Sequence, residues 1–131
     1  MKDFPSVEVA RITGNCVPTD GETFVRWDGG TMEELQKLVE IGACDPEDTQ
    51  NSSPSIQEIL DELSLCPGKV TLFGYVIYPP REDARVSVEG FHAEALTPNE
   101  ALDLMVKFRD ADEVDRSKGQ DGLISLRFWW D

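Results

Sequence analysis

The chain has 131 residues, with 26 acidic and 12 basic side chains for a formal net charge of −14, and 40% hydrophobic content. That length suits one α+β domain over residues 1–131, with a core that needs no disulfide or metal staple. The charge excludes a surface built to draw in nucleic acid or anionic membrane at long range, and no stretch approaches the roughly 20 apolar residues that span a bilayer.

Met1-Lys2-Asp3-Phe4-Pro5 leads into no apolar run, so a secretory leader is not expected and the cytoplasm is the expected location. Cys16, Cys44 and Cys66 are odd in number and widely spaced, as suits reduced, mostly buried thiols. With one histidine, His92, and no CxxC pair, a zinc site of ordinary type is hard to assemble, and neither metal nor cofactor is expected.

In chain order, Ser6 to Thr13 alternates with β-branched residues and reads as a strand. Turn residues follow to Gly21, and Glu22 to Trp27 reads as a second strand, ended by Asp28-Gly29-Gly30. Thr31 with Glu34 makes a capping box, and Met32, Leu35, Leu38 and Val39 give the helix after it one apolar face. Gly42 is its stop, and a polar loop runs from Asp45 to Pro54. Ser55 with Glu58 opens a second helix, on which Ile56, Ile59, Leu60 and Leu63 stand at i, i+3, i+4 and i+7; Pro67-Gly68 breaks it.

Val70 to Tyr78 is an apolar run of β type, suited to a central strand covered on both faces. After a turn at Pro79–Asp83, Arg85 to His92 pairs back as a hairpin arm. Thr97-Pro98-Asn99-Glu100 starts a third helix, with Ala101, Leu104, Met105 and Phe108 as its buried stripe. Asp110 to Asp121 reads as a charged loop and Leu123 to Trp130 as a terminal strand. From Glu22 onward this order predicts a ferredoxin-like, split βαβ sheet, with an extra N-terminal strand at an edge and the helices packed on one face.

The acids are unevenly placed. Gly29 to Gly68 holds nine acids and one base, His92 to Asp115 seven and two, and the remainder ten and nine. The first two stretches hold all three predicted helices. Glu33, Glu34, Glu40, Glu58, Asp61, Glu62, Glu100 and Asp103 are therefore the expected partner-binding acids. On the strands, alternation sets Arg85, Phe91, Arg127 and Trp129, with Phe73 or Tyr75, on the side opposite the core, and arginine with aromatics is a composition typical of binding surfaces.

Phe73-Gly74-Tyr75-Val76-Ile77-Tyr78 resembles the core of the RNP1 strand of RNA-recognition motifs, where aromatics stack bases. Thr71 and Leu72 replace the basic residue and glycine of that signature, and the run follows the first crossover, one strand too early. With the acidic balance, the expectation is core and sheet surface, with no direct nucleic-acid contact. No nucleophile elbow, P-loop or HExxH occurs.

Together these features predict a non-enzymatic protein-binding module for a basic partner, one form of it being an inhibitor that imitates nucleic-acid charge before a nucleic-acid-binding protein. Two other readings stand beside it: a small carboxylate- or metal-dependent enzyme using Asp110, Asp112, Glu113, Asp115 and His92, and a homo-oligomer pairing sheets through Phe91, Arg127 and Trp129.

Overall fold

The computed structural model describes residues 4–19, 22–49, 53–64 and 69–130. Its elements are α1 (Ser6–Thr13), β1 (Phe24–Gly30), α2 (Met32–Glu40), α3 (Ile56–Leu63), β2 (Val70–Ile77), β3 (Arg85–Leu96), α4 (Pro98–Lys107), β4 (Glu113–Lys118) and β5 (Ile124–Trp129). The architecture is α+β, with one five-stranded sheet in the order β1-β2-β3-β5-β4 and every neighbouring pair antiparallel.

Three helices begin where the sequence places them. Thr31, Ser55 and Thr97 each accept the N–H of a glutamate three residues on, whose carboxylate receives the cap's own N–H. Each box satisfies two otherwise orphaned donors. The Pro67-Gly68 break lies outside the described residues.

Two segments differ from the expectation. Ser6–Thr13 is a helix, not a strand. Val9 and Ala10 are buried, Gly14 closes it in the left-handed region at φ 73°, and the Asn15 N–H donates to the Ala10 carbonyl at 2.8 Å. Packing of this face against α2 and β1 overrides the weak β preference of Val7 and Val9. The acidic loop contains β4, six residues all exposed and paired with β5 from Glu113–Trp129 to Lys118–Ile124. A strand with no buried face has no apolar alternation for sequence to reveal.

The sheet order also departs from the ferredoxin-like expectation. The crossover through α2 and α3 joins β1 to β2, and these are direct antiparallel neighbours rather than parallel strands flanking a third. A split crossover occurs once, in β3-α4-β4, where β5 lies between.

Val9, Leu35, Leu38, Ile59, Leu63 and Leu104 from the helices join Trp27, Leu72, Val76, Phe91, Leu126 and Phe128 from the strands in one buried cluster. These strand residues share one face, so the helices lie on that side. Phe91, Phe108, Phe128 and Trp130 form its aromatic end, with Phe91 and Phe128 stacked at 4.8 Å.

Three ladders carry an extra residue, one in β1 after Trp27 and two in β3, after Val88 and after Ala93. A bulge reverses the alternation beyond it. Val86 and Val88 face the helices, Glu89 is the surplus residue whose carbonyl accepts the Trp130 N–H at 3.0 Å, and Phe91 and Ala93 then take the core side. Gly29 in β1 (φ 68°) and Ala95 in β3 (φ 55°) adopt the positive φ that accompanies the other two.

Candidate functional site

Among the described residues, no helix packs on the second face of the sheet. Direct cross-strand partners share a face, so Phe24 and Arg26 of β1, Phe73, Tyr75 and Ile77 of β2, Arg85 and His92 of β3, Arg127 and Trp129 of β5, and Glu113 and Asp115 of β4 lie there together. The segment before α3 reaches one corner, where Asp48 and Ser53 line a crevice with Ser87.

At the centre, Phe73, Gly90 and Trp129 stand in one row across β2, β3 and β5. A Cβ on Gly90 would collide with the Phe128 carbonyl and the Phe73 ring, so only glycine lets that ring lie over β3. The Arg127 guanidinium sits 5.1 Å from the Phe73 centroid and 5.7 Å from that of Trp129, within cation–π range of both. His92 packs on the far side of Phe73 at 5.1 Å. Phe24 stacks on Tyr75 at 5.1 Å, and Arg26 and Arg85 flank that pair.

Each arginine meets a carboxylate. Arg26 pairs with Glu89 at 3.1 Å, Arg127 with Asp115 at 3.4 Å, and Arg85 with Asp83 at 3.0 Å. Burial works against the Arg85 charge, but hydrogen bonds to Asp83 and the Tyr75 hydroxyl offset it and raise its pKa. Bonds from Arg81 and Arg85 hold the exposed Asp83 carboxyl below the usual range. A groove of about 260 Å³ over Phe73 and Gly74 is bounded by Arg26, Asp28, His92 and Arg127. A second of about 190 Å³ continues past His92 and Arg127 toward Asp115 and Ser117.

Of the residues expected on this face, Arg85, Arg127 and Trp129 lie there, and both Phe73 and Tyr75 do. Phe91 does not. It is wholly buried in the aromatic core, because the bulge at Glu89 turns it over. The sequence reading missed Phe24, Arg26 and His92. The alternation of Phe24 and Arg26 with the core residues Val25 and Trp27 was the available signal for the first two, whereas His92 reaches this face through the same bulge.

The helical side holds the other group. Glu34 and Glu58 are engaged in capping boxes, and Glu62 pairs with Lys107 at 3.2 Å. Glu100 both caps α4 and accepts from Lys69 at 2.8 Å, and the Lys69 bond, then the Thr97 N–H, lower its pKa to about 2. Glu33, Glu40, Asp61 and Asp103 are exposed, and among the described residues no cation approaches them within 4 Å.

Of the residues of the enzyme reading, Glu113 and Asp115 are on β4 and face the open side, where Asp115 and His92 line one groove, and among the described residues no three His, Cys, Asp or Glu side chains are grouped as metal ligands. Cys16 is exposed and Cys44 buried, both as free thiols, and Cys66 lies outside the described residues. Among the described residues no helix is long and apolar enough to cross a membrane. No family model, curated protein or solved structure matches the chain.

Proposed function

We propose that this protein is a non-enzymatic binding module whose helical side receives a protein partner with a basic surface. The observation that carries the reading is the location of the acid-bearing helices on one face of the sheet, with Glu33, Glu40, Asp61 and Asp103 exposed and, among the described residues, no cation within 4 Å of them. A net charge of −14 steers a basic protein from a distance, and unpaired carboxylates at the surface select it on contact. Imitation of nucleic-acid charge toward a nucleic-acid-binding protein is the narrower form of the same reading.

The open sheet face favours a second contact. Arg127 already lies over both Phe73 and Trp129, so a partner docking there orders few new side chains, which lowers the entropic cost of binding.

The experiment is affinity capture at low salt followed by titration calorimetry of the captured protein. Affinity should fall at least tenfold between 50 and 300 mM salt, a slope of about −1.3 or steeper in log K against log salt. Glu33→Gln/Glu40→Gln/Asp61→Asn should reduce both affinity and salt slope. A partner whose binding ignores both salt and these substitutions would remove the charge-guided reading and leave the sheet face.

A further inference from the structure

The two grooves on the open face meet at His92 and Arg127. The one over Phe73, about 260 Å³, is lined by two arginines, Arg26 and Arg127, against one carboxylate, Asp28. A groove of about 270 Å³ beside α3 and α4 has the opposite balance, with Glu58, Glu62 and Asp110 against Lys107. In a chain of net charge −14, a groove with a cationic lining is the exception, and such a lining selects an anion.

Arg127 holds donors that the fold leaves unused. Its Nη1 donates to Asp115 at 3.4 Å, beyond the roughly 2.7–3.2 Å of an ordinary N–H···O bond, and that carboxylate is 71% exposed. Among the described residues Nε and Nη2 have no hydrogen-bond partner. Cation–π contacts with Phe73 and Trp129 restrain the guanidinium, so its planar fork is in place before a ligand arrives, and that fork matches a carboxylate bidentately. His92, the cross-strand neighbour of Arg127, lines the same groove and supplies an imidazole with no hydrogen-bond partner among the described residues.

The rest of the groove is apolar. The Phe73 ring lies over β3 because Gly90 has no side chain beneath it, and Gly74 adds backbone without a side chain. A volume of about 260 Å³ falls below the roughly 300–1,000 Å³ of pockets for drug-sized molecules, so the groove suits one ring with its acid group. Asp28 in the lining opposes a second negative charge, which favours a carboxylate over a phosphate dianion.

We infer that the groove over Phe73 binds a small aromatic monocarboxylate, its acid group on the Nε and Nη2 donors of Arg127 and its ring over Phe73 toward Arg26. At physiological salt the field of the distant acids is screened beyond about 8 Å, so the fork decides at short range. The site lies on the open face and does not rest on capture of a basic protein by the helical side.

The test is titration of the full, isotopically labelled chain with benzoate at 0.15 M salt, read from amide and arginine Nε–H signals in two-dimensional NMR. The shifts should centre on Phe73, Gly74, His92 and Arg127 and saturate with a Kd below about 1 mM. Benzamide, the neutral isostere, and phenyl phosphate, the dianion, should each bind at least tenfold more weakly. Arg127→Lys keeps the charge but loses the fork, and should weaken benzoate at least tenfold. Asp115→Asn removes the carboxylate that competes for Arg127, and should tighten benzoate at least threefold. Shifts that do not saturate by about 10 mM or that centre elsewhere overturn the inference. So do benzamide or phenyl phosphate binding as well as benzoate, an Arg127→Lys chain that binds unchanged, and an Asp115→Asn chain that binds no tighter. Should Arg127→Lys fail to fold, Asp115→Asn, at an exposed edge position, decides alone.

Discussion

Phe91 and Trp129 are large aromatics on neighbouring strands, yet one is enclosed by Phe108, Phe128 and Trp130 and the other lies half-buried beside Arg127. Their truncations should differ accordingly. Phe91→Ala leaves a cavity in a close-packed core and should cost about 3–5 kcal/mol in a urea titration. Trp129→Ala removes a partly exposed ring and one cation–π contact and should cost about 1 kcal/mol. Equal costs would contradict the bulge at Glu89. The cysteines divide in the same manner. Burial, with the Asp48 carboxylate adding to it, pushes the Cys44 thiol up to about 12, so it stays protonated at neutral pH. In a Cys66→Ser background, iodoacetamide at pH 8 should alkylate Cys16 in the folded protein and Cys44 only after urea unfolds it, as peptide mass mapping would record.

The three capping boxes act at the scale of the element, and the one on α4 has a pH signature. The Glu100 carboxyl is held at about 2, below its usual 4.5, first by Lys69 and then by the Thr97 N–H. A depressed acid contributes stability that is fully present above its unfolded pKa and is lost as pH falls through the folded one. Lys69→Met should therefore be less stable than the parent at pH 7, with the gap closing between about pH 4.5 and 2 in urea midpoints taken across that range. A gap unchanged at pH 2 would mean that Lys69 acts by packing alone. β4 shows a different element-level device. Glu113, Asp115 and Ser117 face one side and Val114, Arg116 and Lys118 the other, so antiparallel self-pairing across a twofold would set acids against acids or bases against bases. Such charge on an edge strand opposes uncontrolled sheet extension.

At the scale of the molecule, the sheet separates two surfaces of different chemistry. The helical side keeps exposed carboxylates on α2, α3 and α4 with no cation within 4 Å among the described residues, and the open face balances its arginines with Glu89, Asp83 and Asp115. Binding of a basic protein should weaken with salt and with loss of Glu33, Glu40 and Asp61.

The starts of α2, α3 and α4 were legible in sequence because a capping box is local, spanning four residues, and an apolar face repeats within two turns. What sequence could not supply depends on distant partners. α1 is helical because α2 and β1 offer its Val9 face a place to bury. β4 exists because the exposed backbone of β5 supplies hydrogen bonds to residues with no apolar pattern of their own. Phe91 exchanges faces with His92 because one surplus residue, Glu89, shifts the register against β2. Alternation along a strand predicts a face only while the ladder stays regular, and whether it does is decided by the neighbouring strand, not by the residues that alternate.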